Sequence, residues 1–140
     1  MTTRTARCGC GRAEITVEGE PIRVVRCHCD FCQKRTGSLF SSSAHWFEKD
    51  VAEVSGETKR YNGLEVDGVG AVVAGAVNFH FCPTCGSSLY WDWRLEGDAE
   101  RTVGVGGGNF VDTGFPMPTI ESFTAFRHDW VPPVPDAQQF

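Results

Sequence analysis

The 140-residue chain lacks any apolar run approaching the roughly 20 residues that span a bilayer; its longest, residues 69–77, is nine residues with two glycines in it. No membrane contact is expected. It also lacks an excess of positive charge: 13 Lys and Arg against 18 Asp and Glu leave a net charge of -5, the wrong sign for gripping phosphate backbones. Nucleic acid is therefore not expected as a partner. Residues 1–10 carry no apolar h-region of a secretory signal, so a cytoplasmic location is the expectation. A dinucleotide fingerprint is missing too: Gly104 and Gly106 are present, but Asn109 stands where the third glycine belongs, and no helix pattern follows. Those glycines read instead as sites of bending or close strand packing.

What the chain does have is seven cysteines in three clusters: Cys8 and Cys10; Cys27, Cys29 and Cys32; Cys82 and Cys85. An odd number cannot pair off within one chain, and clustered thiols in a reducing compartment suit a soft cation better than disulfides. Two thiolates a few residues apart can take adjacent corners of a tetrahedron around zinc. The stretch 82–86 reads CPTCG, a zinc knuckle in which Pro83 stiffens the turn and Gly86 frees the backbone beside a sulfur. A redox CxxC is its rival, but that motif wants a helix start where β-prone residues flank this one. Seven divides as four plus three. Cys8, Cys10, Cys82 and Cys85 could close a structural site, leaving Cys27, Cys29 and Cys32 as a three-thiolate site with an open corner. Spacing alone also allows the triplet to borrow His28, His80 or His128 as a fourth ligand.

Length and composition fit one domain of ordinary globular character. Strands are expected at residues 13–18, 22–26, 39–47, 51–55, 59–61, 71–81, 88–93, 101–105 and 119–126, with one helical turn over 30–35 stopped near Gly37. Short strands at such spacing predict a mainly β fold, a sandwich or open barrel of antiparallel strands. Residues 131–140, with Pro132, Pro133 and Pro135, read as an extended tail. His28 should point away from its cysteine neighbours if that stretch is extended. His80 and His128 read as structural, hydrogen-bonded histidines, and His45 as merely partly buried. Tyr90, Trp91 and Trp93 read as core packing, and Thr36 and Gly37 as a turn.

The segments CGCGRAEITVEGEP (8–21), CHCDFCQKRTGS (27–38), FHFCPTCGSSLYW (79–91), FPMPT (115–119) and RHDWV (127–131) together resemble the glutathione-dependent formaldehyde-activating (GFA) family, also called the CENP-V/GFA domain. The resemblance implies a zinc-stabilised Mss4-like β fold over residues 1–131, with 132–140 as a tail. It implies two Zn2+ per chain: a structural ion on Cys8, Cys10, Cys82 and Cys85, and a catalytic one on Cys27, Cys29 and Cys32. The implied activity is that of a carbon-sulfur lyase joining a small, glutathione-like thiol to a formaldehyde-like aldehyde. The alternative is a noncatalytic zinc-stabilised β-module that binds a protein or small thiol.

Overall fold

A computed structural model describes residues 1–63 and 77–140. Among these, eleven strands form two sheets. The smaller sheet is β1 (Thr3–Arg7), β2 (Glu14–Glu18) and β5 (Val51–Ser55), in the order β1-β2-β5. The larger contains β3 (Arg23–Cys27), β4 (Ser41–Phe47), β6 (Lys59–Asn62), β7 (Val77–Phe81), β8 (Ser88–Trp93), β9 (Thr102–Gly106), β10 (Ile120–Ser122) and β11 (Gln138–Gln139). Its order is β11-β10-β3-β4-β9-β8-β7-β6. The fold is mainly β, as the residue pattern predicts. The strand expected over 71–81 is β7 from Val77 onward; its first part, and most of the apolar run 69–77, lie outside the described residues.

Two faces of the larger sheet have different fates because side chains alternate along each strand. Ala44 and Trp46 of β4 and Val103 and Val105 of β9 pack against Ala6, Ile15 and Val17 of the smaller sheet. Leu89 joins them from β8, where an irregularity in the pairing with β7 breaks the alternation. Trp46 is wholly buried, and burial of a side chain that large contributes about 3 kcal/mol. The opposite face carries Ser41, Ser43 and His45 of β4, Trp91 and Trp93 of β8, and Val77 and Phe79 of β7. There the helix α1 (Asp30–Thr36) lays Phe31 edge-on against Phe79, ring centroids 5.1 Å apart. Gly104 belongs to this face: a Cβ on it would stand 2.3 Å from Trp91 Nε1. Gly104 thus permits close packing of an indole, as the sequence suggests.

The expected helical turn is α1, ended by Gly37 at φ 68°. Thr36 Oγ1 donates to the Cys32 carbonyl at 2.8 Å, so a turn accounts for both residues. Two features depart from expectation. The antiparallel rule fails at one edge, where β10 runs parallel to both β3 and β11. And residues 132–140 do not hang free: Val131 and Val134 are buried, and β11 adds a strand to the sheet.

The anchor of that C-terminal segment is Glu121, fully buried in β10. Its carboxylate accepts from Arg26 Nε at 2.7 Å, His28 Nε2 at 2.8 Å, the Val134 N–H at 2.9 Å and Gln139 Nε2 at 2.8 Å. Burial opposes the charge, but bonds from Gln139, His28, Val134 and Arg26 outweigh it and hold the carboxyl at about 2, below its ordinary 4.5. A depressed acid stabilises the fold above the ordinary value and loses that stabilisation as pH falls from 4.5 towards 2. Glu121→Gln is expected to lower stability by about 3 kcal/mol at pH 7. Denaturant titrations at pH 7 and pH 4 check this: the gap to wild type should narrow at the lower pH, and an equal gap at both would contradict it.

Candidate functional site

The four outer cysteines sit in two loops that belong to different sheets. Cys8 and Cys10 lie in the β1–β2 connection, closed by Cys8 N–H to the Ala13 carbonyl and Gly11 N–H to the Cys8 carbonyl, both 3.0 Å. Cys82 and Cys85 lie between β7 and β8, where Gly86, at φ 75°, donates to the Cys82 carbonyl at 2.8 Å. The loops meet: Gly9 N–H donates to Ser87 Oγ at 2.8 Å. All four Sγ atoms lie within 4.8 Å of one another. The Cys8–Cys10 and Cys10–Cys82 sulfurs are 3.6 and 3.7 Å apart. Four thiolates about 2.3 Å from a tetrahedral ion stand about 3.8 Å apart, so this donor set fits such an ion. None of the seven cysteines is disulfide-bonded.

The triplet forms where β3 runs into α1. Cys27 ends the strand, Cys29 is the helix N-cap and accepts from the Cys32 N–H at 3.3 Å. An N-cap and the third helical residue face each other, so CxxC at this junction sets the two sulfurs side by side. The three Sγ atoms lie within 4.8 Å of one another. Thiols this close cannot all ionise without a cation to offset them. Hydrogen bonds from Cys27 and Cys29, then from Ser41, with the Arg35 charge, hold the Cys32 thiol far below its ordinary range. Cys29 is pushed up by Cys27 and Cys32 and by burial. Two such sulfur groups can hold metal ions.

No histidine joins either group among the described residues. His28 is fully buried and turned to Glu121, away from the sulfurs, as an extended segment predicts. His80 bonds Asp92 Oδ2 at 2.6 Å and His128 bonds Gln33 Oε1 at 2.8 Å, the structural roles expected of them. His45 differs from expectation: it is 8% exposed and part of a cavity wall.

That cavity, about 410 Å3, opens beside the triplet. Cys27, Cys29 and Cys32 line one end; Phe79, Trp91, Trp93, Val77 and Leu95 make an apolar wall; Ser41, Ser43, His45, Arg23 and Arg35 are its polar residues. None of the outer four cysteines lines it. Arg35 lies over the Trp91 ring at 4.4 Å and donates to Ser88 Oγ at 3.0 Å, bringing a cation to the sulfur end.

The family model for the glutathione-dependent formaldehyde-activating enzyme matches residues 3–126. The chain belongs to the GFA family. No curated protein matches it. Sequence reading located all seven sulfurs of this GFA chain but passed over Arg23, Arg35, Ser41 and Ser43. The signal for the serines was present: residues 41–46 put Ser, Ser and His at one parity and Ala44 and Trp46 at the other, the mark of a strand with two unlike faces. No helix among the described residues is long and apolar enough to cross a membrane.

Proposed function

We propose that this GFA chain is a zinc-dependent carbon-sulfur lyase-type enzyme that forms or cleaves an adduct between a small, glutathione-like thiol and a formaldehyde-like aldehyde. One observation carries the reading: three sulfurs line a substrate-sized cavity, while the other four gather elsewhere at tetrahedral spacing. In this reading Cys8, Cys10, Cys82 and Cys85 hold a structural Zn2+, and Cys27, Cys29 and Cys32 hold a second. Zinc bound by three protein ligands keeps a fourth position open and stabilises the thiolate of an incoming thiol.

The chain's own residues supply the rest. Three thiolates and Zn2+ leave about one net negative charge, and the Arg35 guanidinium offsets it, fixed in place by Trp91 and Ser88. Ser41 fastens Cys32 by a hydrogen bond. The Phe79, Trp91 and Trp93 wall limits water around the aldehyde. In the forward direction the thiol gives its proton to solvent and its sulfur bonds to the carbonyl carbon; the carbonyl π pair moves to oxygen, which takes a proton. The reverse sequence breaks the C–S bond. Clustered reduced thiols also suit the reducing cytoplasm.

Metal analysis with exchange spectroscopy of glutathione and formaldehyde tests this. Two zinc ions per chain are expected, one of them labile to chelation, with adduct exchange faster than the spontaneous rate only while that ion is present. Two inert ions and no acceleration would favour the noncatalytic module.

A further inference from the structure

Ser43 and His45 share the cavity face of β4 with Arg23 across on β3, in a register that pairs Arg23 with His45 and Cys27 with Ser41. Arg23 Nε donates to His45 Nδ1 at 2.8 Å. A guanidinium has donors only, so Nδ1 must present a lone pair, and a neutral ring then carries its proton on Nε2. The ring is neutral: burial, and then the Arg23 charge, hold it at about 3. His45 Nε2 therefore donates to Ser43 Oγ, 3.0 Å away. Donor polarity runs one way along the three residues and leaves the Ser43 proton directed away from the ring. Ser43 is 4% exposed and lines the cavity, yet its proton has no acceptor among the described residues.

A buried histidine needing partners explains the first two bonds. It does not explain a hydroxyl on the cavity wall beside the sulfur triplet whose proton points away from the ring and meets no acceptor among the described residues. Ser43 stands two residues beyond Ser41, about 7 Å along β4. We infer that Ser43 contacts substrate, donating a hydrogen bond to a carbonyl oxygen that a bound thiol carries about 6 Å from its sulfur, and that Arg23 and His45 are positioning residues that aim this hydroxyl. The inference rests on the thiol reading above. It makes the favoured class an amide-bearing thiol over a plain alkyl thiol of the same length.

Calorimetry on the zinc-loaded protein with N-acetylcysteamine, which has the amide, and 1-pentanethiol, which has no acceptor, tests it. Ser43→Ala is expected to weaken N-acetylcysteamine binding about tenfold and leave 1-pentanethiol unchanged; Ser43→Thr should retain most of the preference. His45→Phe should reduce it partway, because the hydroxyl survives but loses its direction. Spectra of isotope-labelled histidine should show His45 with a bare Nδ1 and a protonated Nε2. Equal weakening of both thiols, no weakening of either, or a proton on Nδ1 would overturn the assignment of Ser43. If the wild type binds neither thiol, the thiol reading falls first and takes this inference with it, a result distinct from any of those.

Discussion

Replacing Cys29 with alanine is expected to return thiol–aldehyde exchange to its spontaneous rate while leaving the fold and about one zinc per chain. Cys29 is 2% exposed and stands between Cys27 and Cys32, so its loss leaves two sulfurs where an open zinc site needs three protein ligands. The structural cost is small by comparison. Cys29 also caps α1, and loss of a cap costs about 1 kcal/mol, well inside the stability of an ordinary domain. Exchange spectroscopy, metal content and a thermal melt on one preparation read all three quantities. Retained acceleration with a single zinc would remove the triplet from the chemistry.

Cys82→Ala should do the opposite and destroy the fold. Cys82 is fully buried within the inter-sheet core, and its sulfur lies 3.7 Å from that of Cys10, 72 residues earlier. Zinc held by four thiolates there would tie the β1–β2 loop to the β7–β8 loop, and hence the smaller sheet to the larger. Binding of structural zinc contributes about 10–16 kcal/mol in finger peptides, against a net domain stability of about 5–15 kcal/mol. With three ligands left and a sulfur missing from the core, near-ultraviolet circular dichroism should show lost tertiary packing at 25 °C, and the structural zinc should be absent. A variant melting within a few degrees of wild type with both ions bound would show that the four sulfurs do not hold the sheets together.

The two variants separate the sites because the sites differ in what surrounds them. One group of sulfurs joins two loops that belong to different sheets, with Cys8 and Cys82 buried; the other lines a cavity. That contrast was partly legible in the residues. CxC, CxCxxC and CPTCG each fix the spacing of sulfurs within a few residues, and the division into four and three follows from counting. The turn over 30–35 and its stop at Gly37 were equally local, written in propensity and one left-handed glycine.

Glu121 shows where such reading stops. Nothing near it in the chain announces a buried carboxylate, because its partners Arg26, His28, Val134 and Gln139 are brought to it by the parallel pairing of β10 with β3 and with β11. The β10–β11 pairing also draws the end of the expected tail onto the sheet, through Gln138 and Gln139. His45 is the same lesson at the cavity: alternation assigns it a face, but burial keeps it neutral and the register against Arg23 fixes the direction of its bonds.

The sequence by itself determined which atoms could bind metal, how they are grouped within each loop, the β character of the chain and its family resemblance, since all of these depend on residue type and short-range spacing. The tertiary structure alone decided which loops meet, which face of the large sheet becomes a cavity, and which way protons point along Arg23, His45 and Ser43. These depend on strand register and on burial, and contacts between residues tens of positions apart leave no local pattern from which they can be read.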